Sequence, residues 1–145
     1  MSDIEGWLNR YSHFFQNIDK DELKRCDLFF SDQVRFKDPF NDVRGISAVK
    51  RILQHMFDVC ESSHFEIHDC CGHGELGYIT WTYHYIIKGK SLQRRIEGMS
   101  QVKFNWEGKV LEHIDYWDSG EYVYESLPVI GWVLEKIRKR YLQAA

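Results

Sequence analysis

The first segment with residues suited to chemistry surrounds Asp38. Asp38 ends an alternating stretch, residues 34–38, and lies between Phe36 and Phe40. Apolar surroundings make a carboxylate a stronger base, which suits general acid–base catalysis. An Asp that precedes Pro also commonly holds a turn. The local sequence therefore leaves a catalytic and a structural interpretation of Asp38 open.

The second segment is residues 113–118, near the end of the last predicted strand. Because side chains alternate between the two faces of a strand, His113, Asp115 and Trp117 share one face. An imidazole, a carboxylate and an indole together are unusual for a core and indicate the floor of a pocket. The alternative is that Asp115 is a buried acid with satisfied hydrogen bonds and that Asp118 caps a helix.

A third candidate is the alternating strand over residues 76–88, which has a hydroxyl-rich face and a bulkier aromatic face. The hydroxyl-rich face contains Tyr78, Thr80, Thr82, His84 and Ile86. The other face contains Ile79, Trp81, Tyr83, Tyr85 and Ile87. Either face could line a pocket, and the other could be covered or serve as a dimer surface. A single His such as His84 is also often a hydrogen-bonded structural residue.

Four residues have the side chains of metal ligands, namely His68, Cys70, Cys71 and His73. On a strand, the first two would face one way and the last two the other. No second Cys/His pair lies at the spacing of a structural zinc site. The chain also has no phosphate-binding loop, dinucleotide fingerprint or nucleophile elbow. We therefore expect no metal and no organic cofactor.

The composition indicates a single globular domain over residues 1–145. Apolar residues make up 43% of the chain and aromatic residues 15%, enough for a core and an aromatic-lined pocket. The 19 Lys and Arg against 22 Asp and Glu argue against a nucleic-acid binder, which usually has a basic surplus. The N-terminus has neither a basic segment nor an apolar one, so we expect a cytoplasmic protein.

The periodicity of apolar residues predicts the elements that must position these side chains. Helical spacing is found over residues 4–18, 23–30, 49–60 and 130–141. Alternation predicts a strand over 34–38 and four more over 65–73, 76–88, 93–106 and 109–118. Short turns join the last four strands into an antiparallel meander. Helices segregated from such a sheet define an α+β fold with a helical tail over about 119–145.

The C-terminal helix has two open interpretations. Its apolar stripe contains Ile130, Val133, Leu134, Ile137 and Tyr141, and Lys136, Arg138, Lys139 and Arg140 fill the other face. Such a helix can lie on a membrane surface with Trp132 at its edge. Alternatively, its basic face is solvated while the apolar stripe covers the sheet or the pocket mouth.

The order of elements and two motifs resemble the nuclear transport factor 2-like superfamily, particularly its SnoaL-like branch. The resemblance extends from Trp7 to about Leu134. It implies a cone-shaped fold in which a curved antiparallel sheet wraps around the N-terminal helices and encloses a deep apolar pocket. It also implies a homodimer through the outer sheet face.

Residues 34–39 resemble the first strand of ketosteroid isomerases, and this resemblance implies that Asp38 is the base. In the same family the oxyanion-hole residues fall on Ser100 and near Tyr11. Residues 108–118, with Leu127 and Pro128, resemble limonene-type epoxide hydrolases, in which the water-activating Asp falls on Asp115. Two further catalytic positions of that family fall on Thr82 and His84, and its water-positioning Asn falls on Asp38.

The two resemblances together predict one cavity that contains both Asp38 and Asp115. Its other lining residues would be Phe36, Thr82, His84, Ser100, His113, Trp117 and Tyr122, with Tyr11 nearby. We expect a cofactor-free isomerase, cyclase or epoxide hydrolase acting on a small hydrophobic molecule. Asp115 would be the base, His84 its orienting or acid partner and Asp38 a second acid or base. The alternative is a non-catalytic module that binds a hydrophobic ligand or a second copy.

Overall fold

The computed structural model describes residues 3–144, which form one curved six-stranded sheet with helices on its inner face. The helices are α1 (Ile4–Gln16), α2 (Cys26–Phe29), α3 (Ile46–Val59), α4 (Ser119–Tyr122) and α5 (Pro128–Ile137). The strands are β1 (Phe30–Lys37), β2 (Asp42–Arg44), β3 (Cys60–His73), β4 (Leu76–Ile87), β5 (Arg94–Phe104) and β6 (Val110–Trp117). Single 3-10 turns span Glu22–Arg25 and Tyr124–Ser126, and a π-type turn spans Arg138–Leu142.

The sheet has the strand order β2-β1-β6-β5-β4-β3. The predicted meander is confirmed, since β3 to β6 pair antiparallel with their neighbours in the chain. One pair departs from the antiparallel arrangement, because β1 lies parallel to β6. No hairpin connects these two strands, so turn geometry does not dictate their relative direction. Strand β2 also forms where we expected a loop, by pairing with β1.

Helix α1 begins at an N-cap, where the Asp3 side chain accepts a hydrogen bond from the backbone N–H of Gly6. Its apolar stripe packs on the inner face of the sheet, with Leu8, Tyr11 and Phe15 buried. The helical spacing in the sequence therefore translates into one helix face that covers the sheet. This packing brings the Tyr11 side chain toward the middle of the inner face.

Strand β4 presents its aromatic side chains to the core. Ile79, Trp81 and Tyr83 are buried in the core cluster, so the hydroxyl-rich set lies on the outer face. Burial of the bulkier apolar side chains removes more apolar area from water, which favours this orientation. Gly98 lies opposite Trp81 on β5, and a Cβ at Gly98 would come within 2.5 Å of the indole. The glycine therefore lets the indole lie over the neighbouring strand.

Helix α5 does not cover the sheet, which contradicts one of the two interpretations of its apolar stripe. It packs mainly on the turn Tyr124–Ser126, and Gly131 is its single buried residue. Its apolar side chains remain largely exposed. Within residues 3–144, no helix is both long enough and apolar enough to cross a membrane.

Candidate functional site

A small cavity of about 80 Å³ lies between the helices and the inner face of the sheet. Nine hydrophobic side chains from α1, α3 and the strands β1, β3 and β4 contribute most of its lining. The polar lining residues are Asp38, Ser100, His113 and Asp115. Ligand pockets for drug-sized molecules are usually roughly 300 Å³ or larger. The cavity is therefore much smaller than the deep pocket that the resemblance implies.

One hydrogen-bonded chain of five side chains crosses the floor of this cavity. The Tyr11 hydroxyl lies 2.7 Å from Nδ1 of His113, and Nε2 of His113 lies 2.6 Å from Oδ1 of Asp115. The Ser100 hydroxyl donates to the same Asp115 oxygen at 2.5 Å. The Trp81 indole N–H donates to the Ser100 hydroxyl at 2.8 Å. Four elements, α1, β4, β5 and β6, thus share one polar network.

Strand register brings the members of this network together. Alternation along β6 puts His113 and Asp115 on the inner face, and Ser100 of β5 lies directly opposite Asp115. On the other side of β6, Phe36 of β1 is paired with His113. The two rings stack with their centroids 4.5 Å apart and their planes 11° apart. The imidazole is therefore held by stacking as well as by two hydrogen bonds.

The burial of Tyr11 and the acceptor chemistry of a carboxylate together assign the hydrogen-bond directions in the network. Burial raises the pKa of Tyr11 well above its ordinary value, and the nearby negative charge of Asp115 adds to this effect. The Tyr11 hydroxyl therefore keeps its proton. Because a carboxylate oxygen only accepts, Nε2 of His113 carries the hydrogen that is donated to Asp115. In the neutral imidazole, Nδ1 is then an acceptor, and the Tyr11 hydroxyl donates a hydrogen bond to it.

The Asp115 carboxylate is consequently anchored through one oxygen only. Oδ1 accepts hydrogen bonds from His113 and Ser100. Among residues 3–144, no group donates to Oδ2, and Asp115 lines the cavity. This arrangement can hold the carboxylate rigid while Oδ2 accepts a proton from a molecule in the cavity.

Asp38 also lines the cavity, but its carboxylate holds the turn between β1 and β2. Oδ1 accepts hydrogen bonds from the backbone N–H groups of Phe40 and Asn41, each at 2.8 Å. The Asn41 side-chain amide approaches both Asp38 oxygens at 3.1 Å. These bonds match the structural interpretation of an Asp before Pro. A role for Asp38 as a second acid or base stays a prediction.

The expectation that Thr82 and His84 line the cavity is wrong. Both lie on the outer face of β4, because the aromatic residues of this strand occupy its inner face. Nε2 of His84 lies 3.0 Å from Oε1 of Glu66, and the Thr82 hydroxyl lies 2.7 Å from Nε2 of His68. The hydrogen bond from His84 lowers the pKa of Glu66. His84 therefore contacts Glu66 and not Asp115.

Trp117 and Tyr122 lie beside the cavity and do not line it. Both are half-buried and pack against the core. The Trp117 ring contacts that of Phe40, with centroids 5.5 Å apart. The Tyr122 hydroxyl donates to Glu97 at 3.5 Å. Of the predicted substrate-binding residues, Phe36, Ser100 and His113 line the cavity, and Tyr11 reaches it through His113.

Sequence reasoning missed the contribution of Trp81 and of the apolar lining from α3 and β3. Trp81 lines the cavity and donates to Ser100, whereas the sequence left its face of β4 open as a pocket lining or a dimer surface and did not include Trp81 among the site residues. The available signal was the greater bulk of its face of β4, which is typical of a buried face. Ile52, Phe65 and Ile67 reach the cavity only through long-range packing.

The four candidate metal ligands do not converge. Sγ of Cys70 lies 3.0 Å from the Ser12 hydroxyl, whereas His68 contacts Thr82 on the outer face. Over the described range 3–144, no group of three or more His, Cys, Asp or Glu side chains is arranged to hold a metal ion.

Comparisons with known proteins agree with this architecture. Residues 11–113 match the SnoaL-like domain family. A protein of Catenulispora acidiphila with a ketosteroid isomerase-like fold is 14% identical to this chain, with a TM-score of 0.71. The match covers 91% of this chain and 98% of that chain. A nuclear transport factor 2-like protein of unknown function from Exiguobacterium is 19% identical, with a TM-score of 0.67. This match covers 77% of this chain and 98% of that chain.

An epoxide hydrolase of M. tuberculosis, described as LEH-like, is 20% identical, with a TM-score of 0.61, 80% of this chain and 79% of that chain being covered. At these identities, the structural likenesses show the fold alone. No curated protein matches this chain in sequence.

Proposed function

This chain belongs to the SnoaL-like domain family, and we propose that it is a cofactor-free enzyme that moves protons on a small hydrophobic molecule. Asp115 is the general base in this proposal. His113 and Ser100 are positioning residues that hold its carboxylate, and Tyr11 holds His113. The nine hydrophobic lining residues bind the apolar part of the substrate.

The anchoring of Asp115 carries the proposal. Two donors fix Oδ1, and Oδ2 has no donor within residues 3–144 while the side chain lines an apolar cavity. A base that is held in place beside its substrate transfers a proton with less reorganisation than a mobile one.

The lining of the cavity favours isomerisation or cyclisation over epoxide hydration. Opening of an epoxide needs a donor that protonates the ring oxygen as water attacks. The described residues that line the cavity include no Lys, Arg or Tyr, and the second carboxyl group, that of Asp38, already accepts hydrogen bonds from the turn after β1. Isomerisation can proceed with one carboxylate, which removes a proton from one carbon and returns it to another. Asp115 alone can perform this transfer.

The size of the cavity supports a second candidate, which is binding without chemistry. A volume of about 80 Å³ admits a small ligand or a few water molecules. A non-catalytic role would use the same apolar lining, with the Asp115 network serving to hold β5, β6 and α1 together. Chemistry at Asp115 separates the two candidates.

The test is proton exchange in deuterium oxide. The protein would be incubated with small unsaturated ketones and epoxides, and deuterium incorporation and product formation would be followed by NMR. Asp115→Asn retains the shape of the side chain but removes the base, so turnover should fall by roughly 10²–10⁴-fold. Glu66→Gln is the matched control, because it neutralises a carboxylate on the outer face.

The outcome of this experiment distinguishes catalysis from binding without chemistry. Exchange that Glu66→Gln retains and Asp115→Asn loses supports catalysis, provided that both variants unfold at the temperature of the wild type. Saturable binding of these compounds without exchange supports the binding module. Exchange that survives in Asp115→Asn excludes Asp115 as the base.

A homodimer through the outer sheet face and a cytoplasmic location also stay predictions. The outer face includes the exposed ring of Tyr116 beside the buried Ile114. Sedimentation at high protein concentration would test the dimer, and a purely monomeric protein would exclude it.

A further inference from the structure

The C-terminal segment Pro128–Leu142, which comprises α5 and its π-type turn, carries an exposed apolar surface. Its exposed hydrophobic residues are Val129, Ile130, Trp132, Val133, Ile137, Tyr141 and Leu142. The Trp132 side chain is 57% exposed and that of Val129 is 74% exposed. Isolated exposed apolar residues are ordinary, but a set of seven on one short segment marks an interaction site.

The segment is attached to the body of the protein by the face opposite this surface. Gly131 lies so close to the backbone of Glu125 that a side chain at this position would collide with it. Arg138 forms a salt bridge with the Glu125 carboxylate. Helical geometry puts each of the five exposed apolar residues of α5 roughly 100–160° around the helix from Gly131. Both attachments therefore direct the apolar surface away from the sheet.

Basic side chains lie among the exposed apolar ones. The Lys136 ammonium lies 4.2 Å from the centroid of the Trp132 ring, and the Arg140 guanidinium lies 5.3 Å from that of Tyr141. Pro128–Leu142 contains four basic residues and one acidic residue, although the whole chain has a net charge of −3. Arg138 and Lys139 form salt bridges with Glu125 and Glu135, so Lys136 and Arg140 are the basic residues that lie beside exposed aromatic rings without an acidic partner among residues 3–144.

We propose that Pro128–Leu142 docks this protein on the surface of an anionic lipid bilayer. The apolar side chains would enter the boundary between headgroups and acyl chains, while the basic side chains contact lipid phosphates. Trp and Tyr favour this boundary because each has an apolar ring and a polar group. The proposal is independent of any chemistry at Asp115.

The distribution of charge favours a lipid surface over a second copy of the same segment. Two such segments packed face to face would bring Lys136 and Arg140 of one copy near those of the other, and this repulsion opposes pairing. An anionic bilayer attracts both basic residues and also buries the apolar ones. Leu127, which directly precedes the segment, is also exposed.

The first test is co-sedimentation of the full chain with vesicles. Vesicles of phosphatidylcholine with added phosphatidylglycerol should bind the protein, and vesicles of phosphatidylcholine alone should bind it far more weakly. Added salt should weaken the binding, because it screens the attraction between basic side chains and lipid phosphates. Absence of binding to anionic vesicles at low salt would overturn the proposal.

Matched variants test whether this segment is the contact. The double variant Lys136→Glu/Arg140→Glu should weaken the affinity for anionic vesicles at least about tenfold, since each basic residue near the surface contributes to attraction. Lys24→Glu/Lys90→Glu makes the same change of net charge at exposed positions elsewhere. Equal losses in both double variants would contradict a specific contact.

A second pair of variants tests the apolar contribution. Trp132→Ser/Ile137→Ser should lose most of the binding, whereas Leu92→Ser/Trp106→Ser, at exposed apolar positions away from the segment, should retain it. All four side chains are exposed, so we expect each variant to fold. If the wild type sediments as a dimer that Trp132→Ser/Ile137→Ser dissociates, the segment contacts a second copy and the lipid proposal is wrong.

Discussion

Two polar groups of side chains occupy opposite faces of the same sheet and differ mainly in their access to water. On the inner face, the side chains of His113 and Asp115 are 4% and 17% exposed. On the outer face, the side chains of His84 and Glu66 are 30% and 50% exposed. Each pair consists of one imidazole and one carboxylate at hydrogen-bond distance.

The comparison teaches that burial, and not residue type, decides how much such a pair contributes to the stability of the fold. A buried donor or acceptor that loses its partner costs about 1–3 kcal/mol, because water cannot replace the missing bond. An exposed pair contributes about 0–1 kcal/mol, because water competes with it. The inner pair is also continued by Tyr11 and Ser100, whereas the outer pair stands alone.

Removal of the inner imidazole should have the largest effect on stability. His113→Ala leaves a cavity beside Phe36 and deprives the buried Tyr11 hydroxyl of its acceptor, so we expect a loss of about 3 kcal/mol in the free energy of unfolding. His84→Ala on the outer face should lose less than about 1 kcal/mol. Urea unfolding measures both, and equal losses would contradict the comparison.

Removal of the Ser100 hydroxyl should have the next largest effect. In Ser100→Ala, the buried Trp81 N–H has no acceptor, and the loss should be about 1–2 kcal/mol. The outer-face counterpart is Thr82→Val. Thr82 is itself buried, but its partner His68 is exposed and can bond to water instead, so the loss should be less than about 1 kcal/mol. A larger loss in Thr82→Val than in Ser100→Ala would reverse this ranking.

Tyr11 should make the protein less stable at alkaline pH. Its pKa is raised by burial, so above the ordinary tyrosine pKa of about 10 the unfolded chain releases this proton and the folded chain does not. Below that pH, Tyr11 is protonated in both states and does not make stability depend on pH. Above it, the free energy of unfolding falls as the pH rises. Tyr11→Phe should therefore show a shallower alkaline decline in urea unfolding; an unchanged slope would indicate that Tyr11 ionises in the folded protein.

The outer pair should show the smallest effect, in the titration of one carboxyl group. The hydrogen bond from His84 lowers the pKa of Glu66, so the associated stability is present above the ordinary Glu pKa of about 4.3 and is lost as the pH falls through the lowered value. In His84→Ala, the Glu66 pKa should rise toward its ordinary value. Carbon-detected NMR measures this shift, and an unchanged titration would show that His84 is not its cause.

Much of the fold could be predicted because its patterns are local. The stripe of α1, the meander β3–β6 and the shared face of His113 and Asp115 follow from periods of 3.6 and 2. The resemblance to SnoaL-like domains is confirmed by the family match. The parallel pairing of β1 with β6 could not be predicted, because residues far apart in the chain determine it.

The sequence by itself determined which residues alternate together, and hence that the inner face of β6 combines an imidazole and a carboxylate. Only the tertiary structure decided which face of β4 turns inward, which removed Thr82 and His84 from the cavity and brought Trp81 to Ser100. It also directed the apolar surface of α5 outward, through the contact of Gly131 with Glu125. Periodicity is a property of neighbouring residues, whereas the direction of a face depends on which distant surface is available to bury it.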